Sequence, residues 1–562
     1  MLSDNSAKNS LKISLLFNIL LFFSCWLFLY PKYGTVDDIE AQLTLSGKIL
    51  GRYTEGELCW SHWFLGYIVA ALYRLNETIP WYGLSLYLAH FVSMTAILFT
   101  LLRIKSDYWR LLIYLFCFCI AEIPLLQEVQ FTSTAIITGG SGILLLCFHE
   151  KETHKGLQLT LFTLGTILFL WGAMIRKDAG FLILLVGIPF LFHSIYLSQK
   201  KIISSGKIIS VVLLMFLVYA FQDQMVSRQP GWKDFFAKSA TSIQGNILDY
   251  DYEGFRWNEQ TAPIYTQKVG WSYNDYNFYR CWFMADSLTY GTQKLSLVNQ
   301  HLGPRQHFSF QRFKDRLRHF FYEKGIPDYW YYCFLALALL IPFLAKENKD
   351  LNLALITTFV LSFSVLIILL LTKHLPNRVS FPVLAVNLFF VMLNAFTADN
   401  LQLKFKKAFA LMWILLLISP VKAAYKDGAE TRKEEQKWEK ALEELQPNKN
   451  QLYTFKAFRF YEPLTLPLKA HFRKPITDYA ALDFGHIANT PVFYNQLKNF
   501  GFKNIFTEMI DNENVFIVMT YEKHHLDNLK QYMLEHYKLK IRYEQVREYP
   551  ELNTVLYKVK SE

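Results

Sequence analysis

The sequence predicts an α-helical polytopic membrane protein of about eleven transmembrane helices, with a small extracytoplasmic α/β domain after the last span. Three observations predict it. Hydrophobic residues make up 52% and aromatic residues 17% of the 562 residues. The apolar residues come in blocks of about twenty, enough to cross a hydrocarbon core of about 30 Å, rather than at amphipathic spacing. Beyond Tyr425 the periodicity changes to that of short strands and a surface helix.

The formal charge of +11 does not indicate nucleic acid, because the Lys and Arg residues lie mostly in short loops between apolar blocks and beyond the last one, where membrane topology accounts for them. The seven cysteines show neither CxxC pairs nor zinc-like spacing. Most sit in or beside spans as small apolar fillers, and Cys59 and Cys281 are the only pair in polar segments.

Leu11 to Tyr30 ends without a small-x-small cleavage pattern and is read as a retained first span, not a secretory signal. A window of about nineteen residues gives further spans near Trp81–Leu102, Trp109–Leu126, Phe131–Phe148, Leu157–Ile175, Phe181–Leu197 and Ile208–Phe221. After a large polar segment come Tyr329–Leu344, Leu351–Leu371, Val379–Phe396 and Phe405–Pro420. His62 to Leu75, "HWFLGYIVAALYRL", is apolar but short for a crossing at fourteen residues, and fits an interfacial or re-entrant helix.

If that segment does not cross, the loops holding "RIKSDYWR", "HEKETHKG", "SQKKIISSGK", "AKENKD" and "LQLKFKK" all share the side of Lys8 and Lys12. The positive-inside bias then places the N-terminus in the cytoplasm. Residues 1–424 form a transmembrane domain with an outer loop or subdomain at about 222–328, and residues 425–562 a soluble extracytoplasmic domain. In that domain "NVFIVMTY" reads as a strand, "HHLDNLKQYMLEHYKL" as a helix, and "IRYEQV" and "TVLYKVK" as alternating strands. No internal repeat or low-complexity tract is visible.

Cations on the outer face run against the insertion bias. Arg176 and Lys177 lie in "GAMIRKDAGF", a tight hinge between spans, and Lys373, His374 and Arg378 in "LTKHLPNRVSFP". Cations at membrane depth need partners; a lipid-linked phosphate is the partner expected, held bidentately by Arg and by the point charge of Lys. Any one of them alone also fits a plainer reading, an Arg176–Asp178 pair or a stem that snorkels to the headgroups.

Four acids share that face: Asp37 and Asp38 directly after the first span, and Glu122 and Glu128 in the next outer loop, "AEIPLLQEVQ". A carboxylate that takes a proton from an acceptor hydroxyl, with cations stabilising a phosphate leaving group, suits group transfer. Adjacent carboxylates also raise one another's pKa or hold a divalent cation, Mg or Mn, through oxygen. More plainly, "DDIE" opens an interfacial helix whose unpaired N–H groups and dipole favour Asp, which is compatible with a catalytic role. In a helix, successive side chains point about 100° apart, so only one of Asp37 and Asp38 faces an acceptor.

"YDYEGFRWNEQ" and "VGWSYNDYNFYRCWFMAD" place Tyr250, Tyr252, Trp257, Trp271, Tyr273, Tyr276 and Trp282 among Asp, Asn and Arg. Aromatic faces with polar neighbours fit a sugar or acceptor cleft, with Trp271, Asn274 and Asp275 as contacts. Each ring alone fits an interfacial aromatic belt.

Taken together, the layout resembles the multi-spanning GT-C glycosyltransferases, which take sugars from polyprenyl-phosphate carriers. Its marks are an acidic pair after the first span, an interfacial helix leading to the second, acids in the second outer loop and a soluble outer C-terminal domain. "KVGWSYNDYNFYRCWFMAD", "IRKDAGFL" and "KHLPNRVSFPVL" are similar to segments of bacterial membrane proteins of surface-polysaccharide type. The resemblance implies Asp37 or Asp38 as general base, with position favouring Asp37. It also makes His62 of "SHWF" the counterpart of a His-Pro-Pro near the interfacial helix, hence a sugar or acceptor contact. His-Pro-Pro itself is missing, as is any sequon-recognition motif, which leaves the acceptor and the metal undefined.

The expected reaction is inverting transfer of a sugar from a polyprenyl-phosphate donor to a glycan, lipid or protein acceptor at the outer face, with Arg176, Lys177, Lys373 and Arg378 on the donor phosphate. The alternative is a transporter or flippase of lipid-linked saccharides. That class places ionisable residues at the bilayer midplane, whereas the span centres here are nearly free of Asp, Glu, Lys and Arg.

Overall fold

The computed structural model describes residues 4–47, 54–104, 108–152, 154–197, 201–242, 257–280, 283, 285–302, 314, 349–372, 377–395, 406–445, 450–455, 467–468, 480–484, 488–520 and 524–562. Among them, seven helical segments are long and apolar enough to cross a membrane. α1 (Asp4–Leu29) is the first. α2 (Val36–Ser46) follows and stops at Gly47, whose φ of 66° lets its N–H turn back to the Thr44 carbonyl. α3 (Trp63–Leu75) has 13 residues; at 1.5 Å per residue it is about 20 Å long, too short to cross, and it packs on α2 and on α4 (Trp81–Ile104).

The next span is one apolar stretch in three pieces: α5 (Tyr108–Cys117), a π turn (Phe118–Glu122) and α6 (Ile123–Gln127). Glu122 therefore lies inside a span and not in the outer loop expected for it. The long apolar run around it carries the helix onward, and the π turn absorbs the extra residue that turns its side chain into the bundle. α7 (Phe131–Phe148), α8 (Lys155–Ile175), α9 (Lys177–Leu197) and α10 (Lys201–Ser227) complete the seven.

α7 is the axis of the layer and is almost wholly buried. Its Thr, Gly and Ser residues leave little side chain between backbones. A Cβ added to Gly172 of α8 would lie 2.5 Å from the Ala135 carbonyl oxygen, so α7 and α8 pack backbone to backbone.

Two more helices, Lys349–Thr372 and Asn377–Ala395, pack on α9 and α7. The span expected near Tyr329–Leu344 lies outside the described residues. The last helix, Lys406–Leu445, has 40 residues and runs on through Pro420, where the sequence suggested an end. A Cβ on its Gly428 would meet the Leu29 carbonyl oxygen at 2.1 Å, so the helix leans directly on the end of α1 as it leaves the layer.

The C-terminal domain is a five-stranded sheet whose strands, in spatial order, are Ala480–Asp483, Leu452–Phe455, Val515–Thr520, Thr554–Ser561 and Ile541–Tyr549. β3 (Leu452–Phe455), β4 (Ala480–Asp483) and β5 (Val515–Thr520) are parallel; β6 (Ile541–Tyr549) and β7 (Thr554–Ser561) pair antiparallel. One face is closed by His524–Tyr532 and by residues 257–302, which contribute Trp271, Tyr276, Phe278, Phe283 and Tyr290 to the same core as Phe506, Met509 and Tyr532. The segment 257–302 and the sheet are thus packed as one body.

Candidate active site

Two short contacts bring the start of α2 to the start of α7. β1 (Lys32–Tyr33) runs parallel to β2 (Glu128–Val129), and the Gly34 N–H donates to the Val129 carbonyl at 2.8 Å. Asp38, fully buried, then accepts from the Phe131 N–H at 3.0 Å, from the Tyr82 hydroxyl at 3.0 Å and from the Thr35 hydroxyl at 2.7 Å. Burial pushes its carboxyl from the ordinary 3.8 up to about 7, with the Thr35 hydroxyl restraining the rise.

One position earlier on α2, Asp37 points elsewhere. It borders a small cleft of about 20 Å³, and its Oδ2 lies 3.7 Å from Nη1 of Arg378, the second residue of the helix Asn377–Ala395. Arg176, between α8 and α9, reaches the same place because the close α7–α8 packing sets its guanidinium 2.8 Å from the Thr132 hydroxyl, to which it donates, and 4.9 Å from the Phe131 ring centre. Burial and the neighbouring Arg378 charge lower the Arg176 guanidinium from its ordinary value. The Arg378 charge bears on Arg176, with the carboxylates of Asp178, Asp37 and Asp38 acting the opposite way, so two guanidiniums and several carboxylates share this place.

The other expected residues separate from this group. Lys177 turns toward α10, with Nζ 3.8 Å from Asp223 and 5.1 Å from the Tyr219 ring centre. Lys373 and His374 lie outside the described residues, as do Tyr250, Tyr252, Cys281 and Trp282. Glu128 is exposed and pairs with Lys32 at 3.3 Å. Glu122 is enclosed against His90, Oε1 to Nδ1 at 2.6 Å. His62 caps α3: its Nδ1 accepts from the Phe64 N–H at 3.1 Å and its Nε2 donates to the Val218 carbonyl at 2.9 Å, which ties α3 to α10.

Trp271 is 1% exposed and donates to the Thr289 carbonyl. Asn274 donates to the Asn528 carbonyl, and Asp275 accepts from His536 Nε2 at 2.7 Å. Asn274 and Asp275 tie residues 257–302 to the helix His524–Tyr532 and the turn after it, Trp271 sits in the shared core, and none of the three lines the Asp37 cleft. The rings that do border the cleft are Trp60, Tyr82, Phe131 and the buried Trp232, with Glu40 and, from the C-terminal domain, Val492. The sequence singles out none of them. "CWSHWF" and "QPGWKDFF" do carry the signal of Trp residues in polar segments beside spans.

The adjacent carboxylates do not fit a shared divalent cation. Asp38 is enclosed with three donors on its two oxygens, and Asp37 points to the cleft and Arg378. The oxygens of Asp38 are taken up by protein donors.

No family model and no curated protein matches the sequence. The chain is similar to two crystal structures of ArnT from Cupriavidus metallidurans. The apo state matches at 12% identity with a TM-score of 0.42, and the form bound to undecaprenyl phosphate at 11% identity with a TM-score of 0.44; both cover 96% of this chain and 97% of that chain.

Proposed function

We propose that this multi-pass membrane protein is a GT-C-type glycosyltransferase, moving a sugar from a polyprenyl-phosphate carrier to a glycan, lipid or protein acceptor at the outer face. The observation that carries the reading is Asp37, a cleft carboxylate set beside Arg378 and Arg176. Asp37 takes the acceptor hydroxyl proton, the acceptor oxygen attacks the anomeric carbon from the side opposite the phosphate, and the carrier phosphate leaves with the bonding electron pair. Arg378 and Arg176 neutralise that phosphate, and Asp38 holds Asp37 in place by fixing α2 to α7. The partly exposed ring of Trp60 offers an apolar face to the sugar. In this reading the N-terminus is cytoplasmic, and the Asp37 cleft and the C-terminal domain are extracytoplasmic.

Purified protein incubated with a panel of labelled polyprenyl-phosphate sugars, followed by lipid extraction, tests the proposal: one donor is consumed by the native protein and spared by Asp37→Asn. The buried Glu122–His90 pair inside the spans is a feature that suits the transporter or flippase alternative. Consumption of no donor, together with translocation of a labelled lipid across vesicles, would favour that class.

A further inference from the structure

A groove of about 470 Å³ lies between α1, α4 and α8, at the end of the layer remote from Asp37. Along α1 its lining runs from Ala7 to Leu15, and along α8 from His154 to Leu164. Those eight and ten residue steps are about 12 and 15 Å at 1.5 Å per residue, which matches one leaflet of a hydrocarbon core of about 30 Å. Its ionisable lining residues are Lys8, in the second turn of α1, and His154, the residue that caps the start of α8. The nearby carboxylate of Glu152 is taken by Arg103 at 2.7 Å. Further in, the walls are apolar apart from threonines. One of these, Thr95, is 7% exposed and its hydroxyl has no hydrogen-bond partner among the described residues.

We propose that this groove holds one acyl chain of an anionic phospholipid, its headgroup phosphate at Lys8 and its chain running inward past Thr95 to the level of Leu15 and Leu164. Basic pockets between membrane helices take anionic headgroups, and an apolar groove within the bilayer is filled by hydrocarbon. The depth of a single leaflet fits an acyl chain, whereas a polyprenyl chain is far longer. The site is independent of the transfer reaction and lies at the opposite end of the bundle.

Native mass spectrometry of the full chain in detergent, with an equimolar mixture of phosphatidylglycerol and phosphatidylcholine of identical acyl chains, reads the site directly. The native protein is expected to retain one phosphatidylglycerol with about fivefold preference, the equivalent of one basic side chain at a membrane surface. Lys8→Glu, an exposed change, is expected to abolish the preference. Leu164→Trp, which fills the groove, is expected to lose both lipids while eluting as a monodisperse species; should it aggregate, the Lys8 variant decides alone. Equal retention of the two lipids, or a preference unchanged in Lys8→Glu, overturns the proposal. Displacement of the bound phospholipid by one equivalent of a polyprenyl phosphate overturns it too, and assigns the groove to the carrier.

Discussion

Replacing Asp37 and Asp38 by Asn, one at a time, is expected to give opposite results. Asn at position 37 keeps the size of the side chain but cannot take a proton at neutral pH. Transfer should fall by about 10² to 10⁴, while the thermal midpoint stays put, because an ion pair this exposed contributes little. Asn at position 38 retains an oxygen for the Tyr82 hydroxyl and the Phe131 N–H and offers N–H to the Thr35 oxygen, so the fastening of α2 to α7 survives. Its effect is on pH dependence. With its carboxyl raised from 3.8 to about 7, the folded protein binds a proton that the unfolded chain has released. The stability from Asp38 is therefore complete below about pH 4 and is lost as pH rises to about 7, a loss of about 4 kcal/mol for a displacement of that size. Asp38→Asn does not titrate and should flatten that decline, whereas Asp38→Ala at pH 5 leaves two enclosed donors without an acceptor and costs about 2 to 6 kcal/mol. Transfer rates and thermal midpoints of the three variants at pH 5 and pH 8 are the measurement. Two active Asn variants would remove the base from this helix, and an unchanged pH profile in Asp38→Asn would refute the burial argument.

Arg378→Lys keeps the charge and loses the fork, so donor affinity should weaken by about tenfold with expression unchanged; titration of a labelled donor measures it. His90→Ala strands Glu122 inside a span and is expected to cost about 3 to 5 kcal/mol, seen as loss of folded protein, whereas joint replacement of both residues by Leu should recover it. Gly172→Val separates α7 from α8 and should lower the thermal midpoint and donor binding together, since Arg176 is placed by that contact. The His536 imidazole is raised above its ordinary 6.5 by its hydrogen bond to Asp275. Its contribution to holding residues 273–280 against the C-terminal domain is thus complete below about pH 6.5 and lost as pH rises through the folded value; protection factors of that segment, corrected for intrinsic exchange, should fall with pH in the native protein but not in His536→Gln.

The sequence by itself determined the elements that hydrophobic length and strand alternation encode. It carried the long apolar helices, the short α3 of 13 residues, α2 opening at "DDIE", and β5, β6 and β7 with the helix between β5 and β6. Such signals are local, because apolar blocks and alternation are read within one segment. Its boundaries followed the hydrocarbon-soluble part alone: α10 begins at Lys201 and not near Ile208, and the last helix passes Pro420, because a helix continues into water wherever packing supports it. Only the tertiary structure decided which of two adjacent carboxylates faces the cleft, since that depends on donors from Tyr82 and Phe131, far away in the chain. It alone sent Trp271, Asn274 and Asp275 into a domain core and brought Trp60 and Trp232 to the cleft. An aromatic residue in polar company has the same local pattern in both settings, and the partner surface that separates them is supplied by chain distant in sequence.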